Sequence, residues 1–204
     1  MESHYAESLA GVLMAHGFHF LSVHMLYQLS LCINPDTYKW KTPKFAFLAA
    51  FLHVISPAGL FLSAPCAESP FSFLNFAGFF LYTRSHQRRS SGRDGIGNIL
   101  LAASGIMFSL ACMFRSNGLL SGLIFCYEAF DSAVALLLRQ HLGANLRRFC
   151  AAFIAGSLMA SGPITWQYVA YRKYCVGTET TDDRRPWCSK WVPSIYTWVQ
   201  RYYW

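Results

Sequence analysis

Charge is scarce in this chain. Asp, Glu, Lys and Arg make up 13% of its 204 residues, against roughly 25% in a soluble domain, and acids are the rarer kind, 10 against 17 bases. That argues against an ordinary soluble enzyme. Closely paired thiols are missing as well: none of the seven cysteines forms a Cys-x-x-Cys, so a zinc ribbon is not expected. There is no Asn-x-Ser/Thr, and hence no glycan to mark one side of the molecule. Met1 to Ser8 carries no basic n-region and no small-residue cleavage site, and it is not expected to act as a secretory leader. No Ser-His-Asp arrangement, phosphate-cradling glycine loop or Asp-x-Asp occurs, which removes the commonest hydrolase and nucleotide-sugar signatures.

What is abundant is apolar sequence, 54% of the chain, with 17% aromatic residues. Six hydrophobic segments can be drawn, at 9–31, 45–63, 64–82, 96–114, 119–138 and 149–170. A spanning helix needs roughly 17–25 residues. In the third segment the hydrophobic run is only the 12 residues Phe71 to Tyr82, so it spans only if the turn at Ala64 to Pro70 dips into the membrane. The expectation is an all-α polytopic membrane protein of about six transmembrane helices in residues 1–170, followed by an aromatic tail, 171–204.

The net charge of +7 is not the footprint of a nucleic-acid binder, because the bases sit in islands between apolar runs. Lys39, Lys41 and Lys44, then Arg84, Arg88, Arg89 and Arg93, then Arg139, Arg147 and Arg148 occupy alternate connections, against Arg115 alone in the others. The positive-inside rule puts those ten in the cytosol and Glu68, Arg115 and the tail on the opposite side.

The most unusual stretch is Ser56 to Phe73, where Pro57, Pro65 and Pro70 interrupt two apolar runs around the single acid Glu68. Proline disrupts helix, and irregular backbone at membrane depth survives only where protein buries it or water reaches it. We therefore expect a cavity there, flanked by Ser63 and Ser69. Glu68 has two readings, as a ligand for sugar hydroxyls or an acceptor and as a helix N-terminal acid. Arg115, in Arg115-Ser116-Asn117-Gly118, has two as well: a fork for phosphate oxygens and a snorkelling helix-end cation.

Glu128 and Asp131 lie three apart in the fifth segment and suit a polar lining or structural role better than a catalytic one. His16, His19, His24 and His53 are expected to make interhelical hydrogen bonds rather than to hold a metal, and no cofactor is expected. Cys175 and Cys188 are the tail's only cysteines and are candidates for a disulfide in an oxidising compartment. From Pro193, spacing places Ile195, Trp198, Val199 and Tyr202 on one helical face, either interfacial or packed.

Ser56-Pro57-Ala58-Gly59 running into Ser63-Ala64-Pro65-Cys66-Ala67-Glu68-Ser69 resembles a segment of the PIG-V-like GPI mannosyltransferase 2 family. Arg115-Ser116-Asn117-Gly118-Leu119-Leu120 resembles that family's RSNGLL motif, and Arg185-Pro186-Trp187-Cys188-Ser189-Lys190 with Pro193 to Gln200 resembles a late luminal segment. The resemblance implies a GT-C-type glycosyltransferase of the endoplasmic reticulum membrane. Such an enzyme moves the second mannose, in α-1,6 linkage, from dolichyl-phosphate mannose to the lipid-linked GPI precursor.

In that setting Arg115 would meet the donor phosphate and Glu68 the sugar or acceptor, with Ser63, Ser69 and Asn117 as further substrate-binding candidates. Membrane lipids and a small membrane subunit would be partners. The family's candidate catalytic acid lies near a Trp-Asp pair, which this sequence lacks, so the catalytic base is unassigned and the chain is expected to be a fragment lacking an N-terminal part. An inactive paralogue serving as a membrane subunit is the alternative expectation, and a haem redox protein a distant third.

Overall fold

A computed structural model describes residues 2–33, 42–56, 62, 64–176 and 185–203. Ser63 lies outside the described residues. The elements are α1 (Glu2–Ile33), α2 (Thr42–Val54), α3 (Glu68–Ser90), α4 (Asp94–Phe114), a 3-10 segment (Ser116–Gly122), α5 (Leu123–Leu137), α6 (Leu142–Cys175) and α7 (Ile195–Tyr203). Among the described residues every regular element is helical. The spans Tyr5–Ile33, Asp94–Phe114, Ser116–Leu137 and Leu142–Cys175 are long and apolar enough to cross a membrane. The chain is an all-α, multi-pass membrane protein.

The first segment lengthens to α1 and the fifth opens with the 3-10 segment, and three others differ from their sequence-drawn limits for local reasons. The segment drawn at 45–63 becomes α2, 13 residues ending at Val54, with a bend at Ile55 and Ser56. Ser56 precedes Pro57, and the residue before proline is pushed out of the helical region. The third segment is a 23-residue helix that starts at Glu68 and runs past Tyr82 to Ser90. Its start follows from Glu68 in the first turn, where an acid offsets the helix dipole, and from Pro70, which costs little there. Its extension follows from Tyr82, His86 and Arg89, which recur at helical spacing and meet a buried acid on another helix. The sixth segment lengthens to the 34 residues of α6, with Pro163 inside it.

The helices pack as a row in the order α2, α1, α3, α4, α6, α5. Helix α4 is the centre: 44% of its span is buried, against 11% for α1. The core is formed by Leu101 and Phe108 of α4, Phe125 of α5, and Ala152, Ala155 and Met159 of α6, with Phe79 and Tyr82 of α3 against it. Phe79, Phe108 and Phe125 meet edge to face, with centroids 5.0 and 5.9 Å apart.

Close approach of α4 to α6 depends on Gly105, where a Cβ would collide with the Ala155 carbonyl. Small residues at such crossings replace the hydrophobic drive that lipid cannot supply. Buried Ser104 donates to the Gly78 carbonyl at 2.9 Å, tying α4 to α3. Large apolar side chains such as Phe20, Phe47, Ile99, Phe130 and Phe153 stand exposed around the row, as a lipid-facing surface requires.

Candidate functional site

Arg115 closes α4. Its backbone is extended (φ −145°, ψ 133°), which turns the chain off the helix axis into the 3-10 segment. That turn folds tightly back on α4: a Cβ on Gly118 would stand 2.9 Å from Cys112 Sγ and 3.0 Å from the Cys112 backbone nitrogen. Only glycine fits without displacing the helix end. Ser121 then donates to Asn75 Oδ1 at 2.7 Å, fixing the turn to α3.

The fold brings Arg115 and Glu68 together. Arg115 Nη1 lies 2.7 Å from Glu68 Oε1, and the guanidinium sits 5.9 Å over the Phe71 ring. Their side chains are 40% and 29% exposed, so the pair adds little stability, about 0–1 kcal/mol. Its consequence is orientation, since the carboxylate and the ring together aim the fork.

A cavity of about 470 Å³ opens at this end. Arg115, Ser116 and Asn117 line it from the turn, Trp166 and Gln167 from α6, and Tyr196 from α7. Glu68 stands behind Arg115 rather than on this wall. Ser69 is buried in the first turn of α3 and donates to the Leu62 carbonyl instead of lining the cavity. Ser116 Oγ donates to Tyr196 Oη at 3.0 Å, which carries α7 to the cavity mouth. Cys175 and Cys188 are joined as a disulfide, Cα atoms 5.6 Å apart, and Trp187 beside it is buried. The segment before α7 is thereby tethered to the end of α6.

The other end of the bundle holds a different constellation. Glu128 is fully buried on α5. Tyr82 Oη donates to its Oε1 at 2.8 Å, and His86 Nε2 contacts the same oxygen. Arg148 Nε donates to Oε2 at 2.7 Å, with Arg89 Nη1 3.9 Å away. Arg148 also donates from Nη1 to Asp131 Oδ2 at 2.8 Å.

Three helices, α3, α5 and α6, are laced by this one carboxylate. Sequence reasoning placed Glu128 and Asp131 on one helix face but left Tyr82, His86, Arg89 and Arg148 in a span and two connections. The available signal was the cost of a carboxylate at that depth, which demands cations from neighbouring helices.

The histidines of α1 do not converge on a metal-like set. The His19 and His53 rings lie with centroids 5.4 Å apart, tilted by 34°, and Ser22 Oγ lies 3.1 Å from His53 Nε2. Among the described residues no group of three or more His, Cys, Asp or Glu stands close enough to hold a metal ion. Tyr196, Trp166 and Gln167 were missed by sequence reasoning altogether. Only the fold brings α6 and the tail beside the Arg115 turn.

A row of helices long and apolar enough to cross a membrane, with a cavity lined by Arg115 at one end, defines a polytopic membrane protein. The sequence profile described as Mannosyltransferase (PIG-V) matches residues 6–204, and the chain belongs to that family. It is 37% identical over 212 residues to GPI mannosyltransferase 2 of Chaetomium globosum, covering 98% of this chain and 44% of that protein. It is 39% identical over 198 residues to GPI mannosyltransferase 2 of Aspergillus oryzae, covering 96% and 44%. It is 31% identical over 185 residues to GPI alpha-1,6-mannosyltransferase 2 of Cricetulus griseus, covering 79% and 34%. The chain therefore spans less than half the length of the curated relatives it matches. No solved structure matches it.

Proposed function

We propose that this chain is part of a mannosyltransferase of GPI-anchor biosynthesis. In this reading it helps transfer the second mannose, in α-1,6 linkage, from dolichyl-phosphate mannose to the lipid-linked GPI precursor at the luminal face of the endoplasmic reticulum membrane. The observation that carries the reading is the Arg115-Ser116-Asn117 wall of a cavity, in a chain matched from residue 6 to residue 204 by a mannosyltransferase family.

The chemistry asks for what this wall offers. As the bond between the mannose anomeric carbon and the phosphate oxygen breaks, negative charge grows on the departing dolichyl phosphate. A guanidinium already aimed at that oxygen stabilises the charge with little reorganisation. Asn117 and Ser116 supply neutral polar groups beside it. Glu68 is committed to Arg115 at 2.7 Å, so we assign it as a positioning residue for the fork. The group that takes the acceptor hydroxyl proton is assigned to none of these residues.

The test is complementation of cells lacking the second GPI mannosyltransferase by the full-length gene, read as return of GPI-anchored proteins to the surface. Restoration is expected. Failure at normal expression would remove the enzyme reading.

A further inference from the structure

We propose that Gln167, Trp166 and Tyr196 form a hexose subsite in the Arg115 cavity and grip the sugar of the lipid-linked donor through ring stacking and amide hydrogen bonds. This rests on the mannosyltransferase reading and adds the residues that recognise the sugar.

Among the described residues Gln167 Oε1 is a buried acceptor with no hydrogen-bond partner, although its side chain belongs to the cavity wall. Buried amide oxygens are almost always bonded, and each exception calls for a reason. With no bond holding that oxygen in the interior, a small χ rotation toward the cavity exchanges an orphaned acceptor for a bonded one once hydroxyl donors arrive. Trp166 precedes it and Pro163 lies one turn back, and all three line the same cavity from α6.

The aromatic partners supply the other half of a sugar's chemistry. A hexose presents hydroxyls at its edge and an apolar C–H face, and an indole or phenol ring covers such a face while keeping a polar handle free. Trp166 is 54% and Tyr196 47% exposed, so both have uncovered surface to offer.

Charge selects the ligand further. Among the described residues Arg115 is the one charged residue lining the cavity, which suits a neutral sugar carrying a single phosphodiester. Ser116 bonds Tyr196 and adjoins Arg115 in sequence. The phosphate fork and the aromatic wall are thereby held in fixed relation, and a hexosyl phosphate is the ligand that touches both.

The experiment measures binding of two lipids to the purified full-length protein in nanodiscs: dolichyl-phosphate mannose, and dolichyl phosphate without sugar. The native protein is expected to bind the mannosylated lipid at least about tenfold more tightly. Gln167→Leu and Trp166→Ala should each remove about tenfold of affinity for it, as loss of one well-placed contact does, and leave dolichyl phosphate binding unchanged. Trp166→Phe should recover most of the loss.

Equal weakening toward both lipids in the variants, or no change toward either, would overturn the subsite. Equal binding of both lipids by the native protein would overturn it too, leaving the mannosyltransferase reading in place. Binding of neither lipid would take both down.

Discussion

The two ends of this bundle both pair arginine with glutamate, and they do opposite things with the pairing. At the Glu128 end the carboxylate is wholly buried, and Tyr82, His86, Arg89 and Arg148 surround it. At the Arg115 end the ion pair is half open, one donor meets one acceptor, and a cavity of about 470 Å³ lies beside it. A saturated buried charge is a structural tie, whereas a half-exposed guanidinium lining a cavity is, in the function proposed above, the group that meets a ligand. The same two residue types thus stabilise one end and equip the other.

Predictions follow from setting the ends against each other. The largest effect belongs to Glu128→Ala, which strands Arg148 and its neighbours without their shared acceptor and should cost about 3–5 kcal/mol. Lower yield and a lower Tm for the detergent-solubilised full-length protein would report it; a wild-type melt would contradict the structural assignment.

Arg115→Ala should reverse the pattern, leaving the melt near wild type while transfer activity falls about 100- to 1000-fold, the usual loss when one preorganised donor is removed from developing charge. Turnover measured in microsomes at matched expression checks it. If Arg115→Ala lost expression rather than turnover, the two ends would not differ in the way proposed.

Gly118→Ala lies between these extremes. A methyl pressed against Cys112 must move the turn, at about 1–3 kcal/mol, so both stability and activity should decline together. Smallest is Tyr196→Phe, which leaves Ser116 without its acceptor at an exposed site; a loss of about 0.5–1.5 kcal/mol of local stability is expected. Faster hydrogen exchange in α7, with the global melt unchanged, would show it.

Much of the architecture was legible because lipid imposes simple rules. Runs such as 96–114 and 149–170 read as helices since a spanning backbone must satisfy itself, and the observed helices enclose both. The joining of Glu68 to Arg115 was legible too, because prolines at 57, 65 and 70 mark a break and the RSNGLL turn ends a span on the same side. The extent of α3 was not legible. Arg84 to Ser90 looks like a charged connection, and only the buried partner on α5 makes it helix.

Nor did the sequence show that Ser69 turns inward to the Leu62 carbonyl. A serine beside a cavity and a serine tying a loop have the same local pattern. Gln167 and Tyr196 stood 29 residues apart with no motif linking them, and pairing over such a distance is a property of the packed helices.

The most direct measurement is the sidedness and protection of position 117, which lies on the cavity wall. With every free cysteine replaced, Asn117→Cys in the full-length protein would be treated in sealed microsomes with a membrane-impermeant maleimide. The account predicts labelling only after the lumen is opened, and protection of that label by dolichyl-phosphate mannose. Labelling from the cytosolic side of intact vesicles, or luminal labelling that the donor does not slow, would contradict it.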